Sequence, residues 1–264
     1  MSAHLSSIRA LIIDIDGVLW RGTQAIPGVA EFFAFLCARN IRHLIASNNS
    51  ARPASDIVER LARLGAPVTE NEVLTSAEAT ALYLPRLAPR GARVFLVGGL
   101  GIARALTHAG YRLVEERAEV VVVGLDPNFT YAKLKQATRE IRRGAKFIGT
   151  NPDKTFPGED GLAPGAGAML AAIEAATDVM PIVIGKPERA MFEIALEKLQ
   201  AAPSETAMLG DRLDTDIAGA QGVGLKTILV LSGVTTREML GQASITPDAI
   251  FEDILALHHA WQNM

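Results

Sequence analysis

The chain is short of the features that would tie it to a secreted, membrane-bound or nucleic-acid-binding role. It has a single cysteine, Cys37, so no internal disulfide can form. Charge of one sign is not in excess either: 26 Lys and Arg are scattered among 29 Asp and Glu, for a formal net charge of −3. That balance gives no electrostatic footprint for nucleic acid or an anionic membrane, and it favours a small-molecule substrate. No run approaches the roughly 18 to 20 apolar residues of a membrane span. Residues 1 to 10 also lack the apolar stretch of a secretory signal. These absences together lead us to expect a reducing, cytoplasmic setting.

What is present is the material of a soluble, loop-rich α/β protein: 49% hydrophobic and 21% charged residues, with 23 Gly and 13 Pro, over 264 residues. Apolar β-rich runs alternate with helical periods. RALIID, PGVAEFFAFLCAR, IRHLIAS and PASDIVERLARLG read as strand, helix, strand, helix, the rhythm of a parallel sheet with helices on both faces. After residue 182 the rhythm resumes with PIVIG, PERAMFEIALEKLQ, TAMLGD, TDIAGAQG, LKTILVLSG and a last helix near 252–262, and both ends are expected to belong to one sheet. Between them lies a second alternation of roughly a hundred residues, large enough for an independent domain. Its strands are VFLVGG, RLV, EVVVVG and KFIGT. Its helices are TYAKLKQATREIRRG and PGAGAMLAAIEAAT, the latter opened by Pro164 near its first position. The expected organisation is a Rossmann-like parallel-sheet core over residues 1–79 and 182–264, interrupted by an α/β insert over residues 80–181. The Gly- and Pro-rich stretch TNPDKTFPGEDGLAPGAG reads as a long loop of the kind that carries function.

In open α/β sheets ligands bind beyond the carboxyl ends of the strands, and four apolar runs here end in unusual polarity. They are Asp14 and Asp16 after ALII; Ser47, Asn48 and Asn49 after HLIA; Lys186 after PIVIG; and Asp211, Asp214 and Asp216 in MLGDRLDTDIAG. In an extended strand Asp14 and Asp16 would share a face and repel unless a cation or a transferring proton intervened. Acids, a hydroxyl and a lysine at one sheet edge form an inventory for holding a divalent cation and a phosphate together. Attack by a carboxylate would divide the barrier to phosphomonoester hydrolysis by making an aspartyl-phosphate, while Mg²⁺ and a fixed ammonium offset the charge that repels the nucleophile. A second carboxylate could protonate the leaving oxygen and later deprotonate the attacking water.

These residues resemble a known family. DIDGVLW is similar to the first signature of the haloacid dehalogenase (HAD) superfamily, SNN to its second, GKP to its third and GDRLDTD to its fourth. Their order and spacing resemble subfamily IIA, the group with an α/β cap of the C2 type that includes the NagD, 4-nitrophenyl-phosphatase, phosphoglycolate and pyridoxal-phosphate phosphatases. TNPD and PGAG extend the resemblance into the insert. It implies Asp14 as nucleophile, and Asp16 as general acid/base that also gives a backbone carbonyl to the metal. Asp211 would be the third protein ligand of Mg²⁺, with Asp216 in its outer shell, and Ser47, Asn48, Asn49 and Lys186 would hold the phosphoryl group. The implied function is Mg²⁺-dependent hydrolysis of small phosphomonoesters, with 4-nitrophenyl phosphate, phosphoglycolate and sugar or nucleotide monophosphates as candidates. The insert would then be a cap that chooses the leaving group, either hinging against the core or closing the site across a homodimer. Asn151, Asp153 and Phe156 are its candidate specificity contacts. Phe156 stands about where the pyridoxal-phosphate branch has a histidine, which argues against a vitamin B6 substrate.

Blander readings compete at each position. Asp followed by Gly is an ordinary turn; Ser47 could cap a helix, and Asn48 and Asn49 could be loop residues. Asp214 reads better as the N-cap of DIAGAQG than as a ligand. Trp20 either walls the cleft or packs the loop. VFLV followed by GGLGIAR is similar to a dinucleotide fingerprint, but Arg104 stands where the third glycine belongs. His258 and His259 face opposite sides of a helix and have no neighbouring ligands. A phospho-accepting signalling module and a phosphotransferase on the same core remain alternatives to a hydrolase.

Overall fold

A computed structural model describes residues 5–158 and 161–263, with the side chains of residues 157 and 158 left aside. The chain separates into two compact units. The first takes in Met1–Ser47, Ser55–Leu74 and Phe192–Met264, and the second Asn48–Ala54 and Thr75–Met191.

The first unit is built on a six-stranded sheet in the order Ala249–Phe251, Lys226–Val230, Thr206–Gly210, Ala10–Ile13, Arg42–Ser47, Val73–Thr75. The strand Ala10–Ile13 runs parallel to both neighbours, Ile13 pairing with Leu209 on one side and Ile45 on the other. Its four residues are all buried, as expected of a parallel strand covered on both faces, which reads as a continuous apolar run. After Ala10–Ile13 the chain builds outward on one side, through Arg42–Ser47 to Val73–Thr75. It later fills the other side from Thr206–Gly210 outward. The strand order therefore reverses between Ala10–Ile13 and Thr206–Gly210, and such a switch point is where open parallel sheets bind ligands. The helices Val29–Ala38 and Ile254–Gln262 pack together through Phe32, Phe35, His258 and Trp261, the His258 ring lying 5.2 Å from that of Phe35. His258 is thus part of an aromatic core.

The second unit has its own parallel sheet, ordered Ile182–Val183, Lys146–Gly149, Val120–Val123, Arg93–Val97, Arg112–Leu113. Phe95, Val121, Val123 and Phe147 from the sheet pack on Ala137 and Ile141 of helix Tyr131–Arg142, and on Leu170 and Ile173 of helix Ala166–Thr177. Ile182–Val183 corrects the sequence reading, which placed PIVIG in the first sheet: Ile182 pairs with Ile148 and Val183 with Gly149. An apolar run as short as Ile182 to Ile184 satisfies either sheet equally, so periodicity alone cannot name its partner.

Two further features differ from expectation. TFPG and GLAP form an antiparallel hairpin, Thr155–Gly158 with Gly161–Pro164, inside the stretch read as loop. The next helix begins at Ala166 with Gly165 as its N-cap, so Pro164 ends a strand and does not open the helix. The amides of Gly165 and Gly167 donate to the carbonyls of Lys154 and Asp153, both at 2.8 Å, which satisfies helix-terminal donors without a capping side chain.

The glycines of GGLGIAR also find their reason here. Gly101 N–H donates to the Ala51 carbonyl at 2.8 Å, and a Cβ on Gly101 would sit 2.5 Å from the Arg52 carbonyl oxygen. They permit close backbone packing against residues 50–52, a use that requires no nucleotide.

Candidate active site

At the switch point of the first sheet three carboxylates meet. One oxygen from each of Asp14, Asp211 and Asp216 lies within 4.8 Å of the others, and all three residues are buried. Asp14 follows directly on Ile13 and is pinned by its amide, which donates to the Leu209 carbonyl at 2.9 Å. Asp211 follows Gly210 on the adjacent strand. Asp216 returns to the same place because residues 213–217 form a single π-helical turn. Its Oδ2 accepts the backbone amides of Asp211 at 3.2 Å and Arg212 at 3.1 Å. The turn fixes the carboxylate, and the carboxylate in turn holds the end of the strand.

A segment with no charged residue completes the cluster. The amide of Val234 donates to Asp211 Oδ2 at 2.6 Å, the amide of Thr235 to the Asp211 carbonyl at 3.1 Å, and Ser232 Oγ to the Gly17 carbonyl at 2.6 Å. Two glycines make room for this approach. Gly17 has φ +84°, and a Cβ there would stand 2.5 Å from Asp211 Oδ2, while one on Gly233 would overlap the same carboxylate. The sequence analysis does not single out residues 232–235 as site residues, since backbone donors leave no signature in residue type; the glycine in SGV was the one available signal.

Asp16 behaves differently from Asp14. The strand stops at Ile13, so the two do not share a strand face as expected. Asp16 is exposed and takes no side-chain part in the three-carboxylate group; its Oδ1 accepts the Trp20 indole N–H at 3.0 Å. Asp214 is not a helix cap. It lies inside the π-helical turn and pairs with Arg212 through two hydrogen bonds, at 3.1 and 2.9 Å. Hydrogen bonding to the Arg212 guanidinium holds its carboxyl below the usual carboxylate range.

Ser47 ends the strand Arg42–Ser47 and is buried in the first unit. Asn48, Asn49 and Lys186 fall in the second unit. There Asn48 Nδ2 donates to Asp153 Oδ2 at 3.0 Å and to the Lys186 carbonyl at 2.9 Å. Asn151 Nδ2 donates to the Asn48 carbonyl at 2.8 Å and to Thr150 Oγ1 at 3.2 Å, and its Oδ1 accepts the Asp153 amide at 3.2 Å. Asn49 Oδ1 accepts the amides of Ala51 and Arg52 at 2.9 and 3.2 Å, the local turn to which asparagine is suited. Asn48, Asn151, Asp153 and the backbone of Lys186 are therefore one interlocked group. Lys186 is buried, and Phe156 is 37% exposed on the hairpin.

Three buried carboxylates repel one another unless a cation or protons compensate them. Their all-oxygen, anionic donor set suits a hard divalent ion such as Mg²⁺. This carboxylate arrangement sits within a chain whose relatives are well defined. The haloacid dehalogenase-like hydrolase family matches residues 11–112, and a HAD-hydrolase-like family matches residues 183–257. An acid sugar phosphatase of Staphylococcus saprophyticus is 41% identical over 251 residues, spanning 95% of this chain and 96% of the relative. The chain belongs to the haloacid dehalogenase-like hydrolases. Among solved HAD structures, a 4-nitrophenylphosphatase from Thermotoga maritima superposes with a TM-score of 0.93 at 36% identity, covering 98% of this chain and 99% of that one. NagD from Escherichia coli K-12 superposes with a TM-score of 0.88 at 33% identity, covering 94% and 97%. The HAD fold and the likeness to NagD and the 4-nitrophenylphosphatases agree with the subfamily that the four motifs resemble.

Proposed function

We propose that this HAD hydrolase is a Mg²⁺-dependent phosphatase that cleaves small phosphomonoesters through an aspartyl-phosphate on Asp14. The observation that carries the proposal is the buried group of Asp14, Asp211 and Asp216 at the switch point of the first sheet. Asp14 and Asp211, with the backbone carbonyl of Asp16, would hold Mg²⁺, and Asp216 would fix the strand end behind them. When bound there, the ion would supply positive charge against the carboxylates and the phosphoryl oxygens.

The reaction divides into two displacements. A carboxylate oxygen of Asp14 bonds to phosphorus as the ester O–P bond breaks, and Asp16 gives its proton to the departing oxygen. A water then bonds to phosphorus, Asp16 takes its proton, and the bond to Asp14 breaks to release inorganic phosphate. Ser47 and Lys186, with the Asn48–Asn49 segment, are assigned to the phosphoryl group on the match to the family's second and third motifs. Since both amide hydrogens of Asn48 go to protein acceptors, its side chain serves that role through the loop it orders. Residues 80–181 are assigned as the cap, with Asn151, Asp153 and Phe156 influencing substrate choice. For Asn151 and Asp153 the influence runs through their hold on Asn48; Phe156 offers its ring directly.

Sugar phosphates are the first substrate class to try, on the strength of full-length relatives named acid sugar phosphatases; aryl phosphates follow from the 4-nitrophenylphosphatase neighbours. The test is release of free phosphate from a panel of sugar, aryl, nucleoside and glycolate phosphomonoesters with Mg²⁺ present. Turnover of several small esters is expected. Stoichiometric phosphorylation without free phosphate would instead mean a phospho-accepting module, and release only when a second hydroxyl compound is added would mean a transferase.

A further inference from the structure

A chain of contacts leads from Asp16 to a residue some forty positions away. The Trp20 indole N–H donates to Asp16 Oδ1 at 3.0 Å, and the guanidinium carbon of Arg60 lies 4.0 Å from the centroid of the Trp20 ring. Arg60 is itself anchored, donating to the Gly22 carbonyl at 2.5 Å. Trp20 is only 5% exposed. Its backbone is held as well: its carbonyl accepts the Gly17 amide at 2.7 Å, and it pairs with Ala25 in a short hairpin. The indole is thus fixed by strand pairing, by a turn and by a cation over its face.

Asp16, in contrast, lies past the end of the strand and is exposed. A carboxylate in such a place has to be held by its neighbours, because orienting it at the moment of reaction costs entropy. An indole N–H is a donor only, so it can hold Asp16 without competing for the proton that Asp16 carries.

We infer that Trp20 is a positioning residue for Asp16, held in turn by Arg60, and that this hold serves proton delivery to poor leaving groups. The inference rests on the phosphatase reading, in which Asp16 protonates the leaving oxygen. An aryl oxide such as 4-nitrophenolate departs with little help, whereas a sugar alkoxide has to be protonated as it leaves. A misplaced Asp16 therefore penalises sugar esters and spares aryl esters. A residue that merely packed the loop would affect both alike.

The experiment compares kcat/KM for 4-nitrophenyl phosphate and for a sugar phosphate that the parent turns over, in the Mg²⁺-loaded parent, in Trp20→Phe and in Arg60→Met. Trp20→Phe keeps the ring and removes the donor; Arg60→Met keeps the donor and frees the ring. Relative to the parent, Trp20→Phe is expected to lower the sugar-phosphate value about tenfold, the aryl value staying within about twofold, and Arg60→Met to lower the sugar-phosphate value about threefold. Equal changes on both substrates, or none, would overturn the inference. Should Trp20→Phe fail to fold, as read by circular dichroism, Arg60→Met decides by the same ratio. A parent inactive on both esters would defeat the phosphatase reading itself, and this inference with it.

Discussion

In the first unit the strands Ala10–Ile13 and Thr206–Gly210 run out into Asp14 and Asp211, two buried acids joined by a third, Asp216. In the second unit the strands Val120–Val123 and Lys146–Gly149 run out into Gly124 and Thr150. The amide of Gly124 donates to the Val97 carbonyl, and that of Thr150 to the Val123 carbonyl, at 2.8 and 2.9 Å. Both units are parallel sheets with covering helices, and both have polar residues just beyond strand ends. They differ in what the ends are left to do. Thr150, Asn151 and Asn48 are neutral and bond to one another, to backbone and to the Asp153 carboxylate, so their polar groups are met within the protein, with Asn48 Oδ1 the exception. The carboxylates of the first unit take backbone amides and still concentrate negative charge in one buried place, a condition that only a cation or protons can relieve. Among parallel sheets, then, acidic charge concentrated at strand ends is a better guide to chemistry than the architecture or the mere presence of polar residues.

The largest effect should come from Asp14→Asn, which keeps the size of the side chain and removes the nucleophile. Phosphate release is expected to fall by about 10⁴-fold or more, with no phosphate trapped on the protein. A variant that still became phosphorylated at the parent's rate would assign the nucleophile elsewhere.

Next comes Gly233→Ala, which drives a methyl group into the Asp211 carboxylate. Activity is expected to drop about a hundredfold from displacement of that group, with about 1–3 kcal/mol of stability lost to overpacking. Denaturant unfolding and steady-state assays would read the two separately, and parent-like activity would mean that the position of Asp211 does not matter.

The contrast between the units is sharpened by Asn151→Ala. It leaves the Asn48 carbonyl and Thr150 Oγ1 without this donor, at an expected cost of about 1–3 kcal/mol in unfolding free energy. Dependence on Mg²⁺ concentration is expected to be unchanged, because the acids that would bind it lie in the other unit. A large shift in that dependence would undo the division drawn above.

The smallest effect belongs to Asp214→Ala. The Arg212–Asp214 pair is solvent-exposed, so its removal is expected to cost less than about 0.5 kcal/mol. The sign with pH is fixed by the lowered ionisation of Asp214. Any stabilisation is complete above the ordinary carboxylate range and is lost as pH falls through the lowered value. The difference between parent and variant in urea midpoint should therefore narrow on acidification, and a widening gap would contradict the pairing.

Much of the first sheet and its acids was legible because a buried parallel strand writes itself as an apolar run, and an acid at its end is conspicuous. Asp14 and Asp211 could be found that way. Asp214 reads from the sequence as a cap and Asp216 as a neighbour of the metal, but a helical period does not anticipate the π-helical turn that brings Asp216 into the carboxylate group and leaves Asp214 exposed beside Arg212. The Val234 and Thr235 amides were invisible because every residue but proline carries one. Ile182–Val183 is assigned to the wrong sheet from sequence because so short an apolar run carries no information about register or partner. Arg60 over Trp20 joins distant positions, which a reading of local patterns does not connect.

The central claim is that the buried acids of the first unit hold a divalent cation on which phosphoester hydrolysis depends. Its most direct test is phosphate release from 4-nitrophenyl phosphate by the purified protein after exhaustive chelation, followed by Mg²⁺ titration. The account predicts loss of turnover on chelation and recovery on adding Mg²⁺. Turnover unchanged after chelation would contradict it.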